Sequence, residues 1–226
     1  SKETWPDSAA VLDIDVRNTL VPRHTARNVL GVAPAKGGSK DWLIISAHYD
    51  HLGMMGPDAM FPGANDNASG SAMLLALAEH FVKHPARCNI LFIAFAGEEI
   101  GLKGSEWCAV DRPIDLARVK LMINLDILGT GDDGIMVVNA TEQKAVYDKL
   151  VAANTRNPRL ASIQQRGPAC NSDHCPFMRR GVPAIFIYTL GGIAAYHDVN
   201  DKPGTLPLTE FPDLFHTLAD VIGTLK

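Results

Sequence analysis

Thiols, basic runs and long apolar stretches are all scarce in this sequence, and each shortage removes a class of protein. The four cysteines among 226 residues, Cys88, Cys108, Cys170 and Cys175, are too few for a disulfide scaffold. None stands in the paired CxxC spacing of a structural zinc site. Cys170 and Cys175 can bridge, but sequence separation alone does not fix the geometry. Lys and Arg total 21 against 25 Asp and Glu, a formal net charge of -4, and no Lys/Arg-rich run occurs. A nucleic-acid partner is therefore not expected. The longest apolar stretches, such as Cys88 to Ala96, are far shorter than the roughly 20 residues a membrane helix needs, so no membrane-spanning segment is expected. The amino terminus lacks the basic, apolar and small-residue succession of a signal peptide, and none is expected within these residues, as would also hold for a processed chain. Repeats, low-complexity segments and linkers are missing too. One domain over 1–226 is expected, with an edge strand and lead-in over 1–27 and the core over 28–226.

What the sequence does have is periodicity. Leu12 to Val16 alternates apolar and charged residues, as an edge strand with one wet face does. Asn28 to Val32 reads as a second short strand, and Pro34 to Ser39 as a turn. Leu43 to His48, Asn89 to Phe95, Leu121 to Leu125 and Ala184 to Tyr188 are nearly unbroken apolar runs, the signature of strands covered on both faces. Helical patterns lie between and after them: Ala68 to Lys83, with Met73, Leu74, Leu77, Ala78 and Phe81 on one face, then Thr141 to Asn154 and Leu208 to Leu225. This alternation predicts an α/β fold, a three-layer α/β/α sandwich around a mostly parallel mixed central sheet. Gly53 to Gly63 reads as a long apolar loop, and Met54, Met55, Met60 and Phe61, with Ile193, suggest an apolar specificity pocket.

Polar residues follow each buried strand: His48 and Asp50, then Glu98 and Glu99, then Asp126, then Tyr196 and His197. The carboxyl ends of strands in open α/β sheets form the ligand crevice, so the topology predicts that these side chains converge. Asp66, in the segment Gly63 to Gly70 that enters the first long helix, adds a further carboxylate. Imidazoles and carboxylates without a thiolate make a donor set suited to zinc in an open site. Two such ions need a bridging carboxylate, and their four positive charges balance three carboxylates and one hydroxide.

Ala47-His48-Tyr49-Asp50-His51, Gly63 to Gly70, Gly97-Glu98-Glu99-Ile100-Gly101, Asn124-Leu125-Asp126, Ser172-Asp173-His174 and Tyr196-His197 resemble, in order, the motifs of the M28 family of zinc exopeptidases. The resemblance runs from Asn28 to the carboxyl terminus. It implies a zinc-exopeptidase fold of the phosphorylase/hydrolase-like type, a peptide substrate, two Zn²⁺ per chain, and export to the periplasm or the medium. It implies that His48 and Glu99 bind one zinc, that Asp126 and His197 bind the other, and that Asp66 bridges them across a cis Asp66-Asn67 peptide. By the same resemblance Glu98 is the general base. Asp50 is the carboxylate that accepts the ring N–H of His48, Asp201 serves His197 in the same way, and Tyr196 donates its hydroxyl to the developing oxyanion.

Asp173 and His174 stay open between a pocket wall and a helix N-cap. Three other patterns are set aside. Gly129 to Gly134 matches GxGxxG, but two aspartates would repel a pyrophosphate and a strand follows. His80 and His84 have zincin spacing with Phe81 in place of the catalytic glutamate. Ser172-Asp173-His174 names a triad, but sequence neighbours cannot form the relay. Among M28-like activities aminopeptidase is favoured over carboxypeptidase. A glutaminyl cyclase with one zinc and a receptor-like binding domain of the same fold remain as alternatives.

Overall fold

The computed structural model describes residues 15, 21, 23–111 and 113–225. The strand expected over Leu12 to Val16 lies, Asp15 apart, outside them. In chain order the elements are β1 (Val29–Ala33), β2 (Trp42–His48), β3 (Gly53–Met55), β4 (Ala59–Phe61), α1 (Gly70–Lys83), β5 (Asn89–Phe95) and α2 (Lys103–Asp111). They continue with β6 (Val119–Leu125), β7 (Gly134–Val138), α3 (Lys144–Arg156), β8 (Ile163–Gln165), α4 (His174–Met178), β9 (Ala184–Leu190) and α5 (Phe211–Ile222). Seven strands form one sheet in the order β1-β5-β2-β6-β9-β7-β8. The central four, β5, β2, β6 and β9, run parallel, while β1 on β5 and β7 on β9 are antiparallel.

The unbroken apolar runs are explained by what lies on each side of this sheet. Successive side chains of a strand point to opposite faces. Leu43, Ile45 and Ala47 of β2 pack with Met73, Leu74, Leu77 and Phe81 of α1 and with Leu214, Leu218, Val221 and Ile222 of α5. Ile44, between them, packs on the other side with Phe95, Met122, Cys108 of α2 and Phe177 of α4. Both faces are therefore dry, and the three layers are the expected sandwich. Each fully buried Leu, Ile or Phe contributes about 1.5–3 kcal/mol relative to exposure.

Three local expectations are corrected. The segment read as a long apolar loop holds a small hairpin, in which Met54 pairs with Met60 across β3 and β4. Each strand is only three residues long, too short for alternation to register. The helix expected to open at Ala68 opens at Gly70, because Ala64–Ser69 forms a separate kinked turn with a cis Asp66-Asn67 peptide. Helix α2 was not anticipated at all. It buries only Ser105, Cys108 and Ala109, so no apolar stripe marked it. Among the described residues no helix is long and apolar enough to cross a membrane. The parallel order brings the carboxyl ends of β2, β5, β6 and β9 to one edge of the sheet, and the candidate residues stand there.

Candidate metal centre

His48 is the last residue of β2 and is buried. Its Nε2 lies 3.3 Å from Asp66 Oδ1 and 3.3 Å from Asp126 Oδ1, the carboxylate that follows β6. On the opposite side of Asp66, His197 Nε2 lies 3.2 Å from Asp66 Oδ2 and 3.2 Å from Glu99 Oε2. Asp66 thus stands in the middle, one oxygen toward each pair. This corrects the expected grouping: His48 goes with Asp126 and Glu99 goes with His197. The reason is strand order. β2 and β6 are hydrogen-bonded neighbours, which puts His48 beside Asp126. The loop after β5 reaches the other side, where the loop after β9 delivers His197.

The turn that carries Asp66 is stitched to the loop after β6 by its own asparagines. Asn67 Oδ1 accepts from the Gly70 and Ile127 N–H groups at 3.0 and 3.2 Å, and its Nδ2 donates to the Leu125 carbonyl at 3.0 Å. Asn65 Oδ1 accepts from the Gly129 N–H at 2.8 Å, and Ser69 Oγ accepts from the Leu128 N–H at 2.8 Å. Gly70 permits this closeness, since a Cβ there would sit 2.6 Å from the Leu125 carbonyl oxygen. The asparagine-rich motif therefore locks Asp66 to Asp126, and sequence reading had given those asparagines no role.

Two supporting carboxylates act differently from expectation. The ring Nδ1 of His48 is 3.1 Å from the Asp50 backbone carbonyl, whereas the Asp50 carboxylate is 3.8 Å away. That carboxylate instead accepts the Glu98 and Glu99 N–H groups at 3.1 and 3.2 Å, fixing the turn that presents both glutamates. β2 ends at His48, and the backbone carbonyl of Asp50, two residues on, takes the ring contact. Asp201 does not bond His197. Its two oxygens accept the Asn65 and Asp66 N–H groups at 2.7 and 3.0 Å and so brace the central carboxylate from behind. Asp126 has a brace of its own: Ser172 Oγ donates to Asp126 Oδ2 at 2.8 Å, Asn124 Nδ2 donates to Ser172 at 2.8 Å, and Ser46 Oγ donates to Asn124 at 2.6 Å. Ser172 thus works in this buried relay and in no triad. His174 Nε2 lies 2.8 Å from the Ala169 carbonyl. Asp173 occupies the N-cap position of α4 but makes no side-chain cap bond, and among the described residues no donor meets its buried carboxylate oxygens at full hydrogen-bond geometry. Replacing Ser172 with alanine is expected to weaken zinc binding about 10- to 100-fold. Competition against a chelator of known affinity measures it, with circular dichroism to show that the fold persists.

Electrostatics mark the same place. Burial opposes charge on His48, but hydrogen bonds to Asp126 and Asp66 push its pKa up to about 12. Burial, then Asp173, Asp126 and Glu99 against the opposing pull of His48, push Glu98 up to about 8. Burial and then Asp66 raise Glu99. Burial pushes Asp173 up to about 7. Acids whose charged forms are disfavoured by burial and by one another, beside an imidazole whose charged form they favour, are what a divalent cation would relieve, and two imidazoles with three carboxylates suit zinc. Glu98 forms none of the close pairs around Asp66 but lines the same cavity, of about 180 Å³, with Asp66, Asp126 and Tyr196.

Tyr196 stacks on His197 with ring centroids 3.9 Å apart and remains 68% exposed at the cavity mouth. Desolvation there, then Asp66, Glu99, Asp126 and Glu98, push its hydroxyl up to about 12, so it stays a donor near neutral pH. The apolar wall differs from expectation. Ile127, Phe186 and Tyr188 line the cavity, while Met54, Met55 and Met60 are more than half exposed on the hairpin and do not reach it. Ile193 lines a smaller space of about 80 Å³ with Asp66 and Tyr196. Phe186 and Tyr188 lie in β9, and the apolar run of that strand marks them in the sequence as sheet residues alone. Cys170 and Cys175 are disulfide-bonded, closing the loop that carries Ser172. Two of the patterns set aside stay outside this centre: Gly134 closes a turn onto Gly131 ahead of β7, and His80 stacks on His84 and packs edge-on to Phe215.

An α/β/α sandwich with a shared carboxylate between two histidine–carboxylate pairs at its strand ends defines the class of candidate two-cation centres. The profile of peptidase family M28 matches residues 28–222, and the chain belongs to that family. Aminopeptidase YwaD of Bacillus subtilis is 33% identical over 174 residues, which are 73% of this chain and 36% of YwaD. A solved zinc aminopeptidase from Bacillus subtilis superposes with a TM-score of 0.73 at 26% identity, covering 86% of this chain and 48% of the other. The chain thus spans about a third to a half of these relatives. A glutaminyl cyclase from an Acidobacteriales bacterium superposes with a TM-score of 0.71 at 24% identity, over 87% of this chain and 73% of that one, and shows the shared fold.

Proposed function

We propose that this chain is the catalytic domain of a zinc-dependent aminopeptidase that uses two Zn²⁺ and a glutamate base. One observation carries the proposal: the two oxygens of Asp66 face separate pairs, His48 with Asp126 and His197 with Glu99, while Glu98 lines the same cavity without joining either pair. His48, Asp66 and Asp126 would hold one ion, and Asp66, Glu99 and His197, whose Nε2 lies 3.2 Å from each carboxylate, the other. When bound, zinc supplies Lewis acidity that polarises the scissile carbonyl and acidifies water. Glu98 takes a proton from the attacking water and delivers it to the departing amine. Tyr196 donates its hydroxyl to the oxyanion from the cavity mouth. Ile127, Phe186 and Tyr188 receive the terminal side chain. The cavity, at about 180 Å³, is smaller than the roughly 300–1,000 Å³ of pockets for drug-sized ligands, which favours one terminal residue over an extended chain. The Cys170–Cys175 bond supports an exported location, where disulfides persist.

Zinc counting on the purified protein, combined with assays on aminoacyl anilides, tests this reading. Two zinc ions per chain with anilide hydrolysis are expected. One zinc with cyclisation of amino-terminal glutaminyl peptides would assign the chain to the cyclases instead. Absence of bound zinc after incubation with the ion overturns both.

A further inference from the structure

His51 stands at this centre beside Glu99, and none of the steps above uses it. Its Nδ1 lies 2.7 Å from Glu99 Oε1, the oxygen that faces away from His197. Its Nε2 is buried and has no partner among the described residues. The ring is therefore placed by its hydrogen bond to Glu99, with Asp66 Oδ2 further off at 4.0 Å from Nδ1 and the His197 ring edge-on at 5.7 Å. Gly63 makes room for it: a Cβ on Gly63, whose φ is 66°, would lie 2.6 Å from Cγ and 2.7 Å from Cβ of His51.

We infer that His51 is a positioning residue for Glu99, making it a one-oxygen ligand of the second cation. Like the two-ion reading on which it rests, this follows from how the carboxylate oxygens are occupied. Asp126 presents Oδ1 to His48 while Ser172 holds Oδ2. Glu99 presents Oε2 to His197 while His51 holds Oε1. In each terminal carboxylate one oxygen is occupied by a protein donor and the other is left for the ion. Glu99 needs the restraint more, because its longer side chain reaches in from a loop and loses more rotamer freedom when fixed. A carboxylate accepts only, so His51 donates from Nδ1, and the oxygen it holds is withdrawn from the ion.

Zinc titration against a competing chelator tests the role in the whole purified chain. His51→Leu is expected to weaken one of the two zinc sites about 10- to 100-fold and leave the other within about twofold. His51→Asn places an amide N–H where Nδ1 stands and is expected to restore the weakened site. His51→Gln carries its amide one bond further out and is not, and it replaces the leucine variant if that protein does not fold. Equal weakening of both sites, or equal affinities in the asparagine and glutamine variants, overturns the inference while leaving the two-ion centre intact. A wild-type chain that holds only one zinc sinks the two-ion reading itself, and the His51 role with it.

Discussion

Asp66→Ala is expected to empty both cation positions at once, taking zinc content from two ions per chain toward none and peptide hydrolysis to background. No other single substitution at the centre should do this. The two oxygens of Asp66 lie 3.3 Å from His48 Nε2 and 3.2 Å from His197 Nε2, so one side chain serves both pairs. Asp126→Ala and Glu99→Ala each remove a group from one pair only, and should lower the zinc content by one. The alanine variant should keep its local backbone, because Asp201 holds the N–H groups of Asn65 and Asp66 and leaves the Asp66 side chain untouched. Metal analysis after dialysis gives the result directly. A variant that retains one tightly held zinc would show that Asp66 is not shared.

Glu98→Gln is expected to lower kcat by about 100- to 10,000-fold with zinc content unchanged and KM little altered. Glutamine keeps the shape of glutamate and cannot accept the proton. Glu98 is suited to the task by its place: it lines the cavity shared with Asp66 and Asp126 without joining either pair, which leaves its carboxylate to accept a proton. Parallel assays of both proteins on aminoacyl anilides decide the matter. If the glutamine variant keeps activity within about threefold, the base is another group. If both proteins are inert on a broad panel while zinc is bound, peptidase activity fails for those substrates.

The division of labour between Glu98 and Glu99 shows how far sequence reasoning reached. Adjacent glutamates on an extended segment point apart, and the structure sends one into the cavity and the other to His197. Which ion each would serve was not legible. The grouping of His48 with Asp126 depends on β2 lying next to β6, and β2 and β6 are separated in sequence by three strands, β3 to β5, and the helices α1 and α2. Asp50 and Asp201 read from the sequence as partners of the two histidines, and in the structure the carboxylate of each accepts two backbone N–H groups instead. A side chain two residues from a histidine looks like its partner, but the Asp50 backbone carbonyl takes that contact and the carboxylate accepts the two N–H groups of the glutamate turn.

By itself the sequence determined the layered α/β architecture, because apolar runs with period-free burial require cover on both faces. It also determined the edge where the polar residues gather, because those residues follow the strands one after another. Only the tertiary structure decided the pairing around Asp66, the bracing by Ser172, Asn67 and Asp201, and the contact of His51 with Glu99. These rest on distances between segments far apart in the chain, and local patterns of hydrophobicity and charge carry no information about strand order or about which oxygen of a carboxylate faces which neighbour.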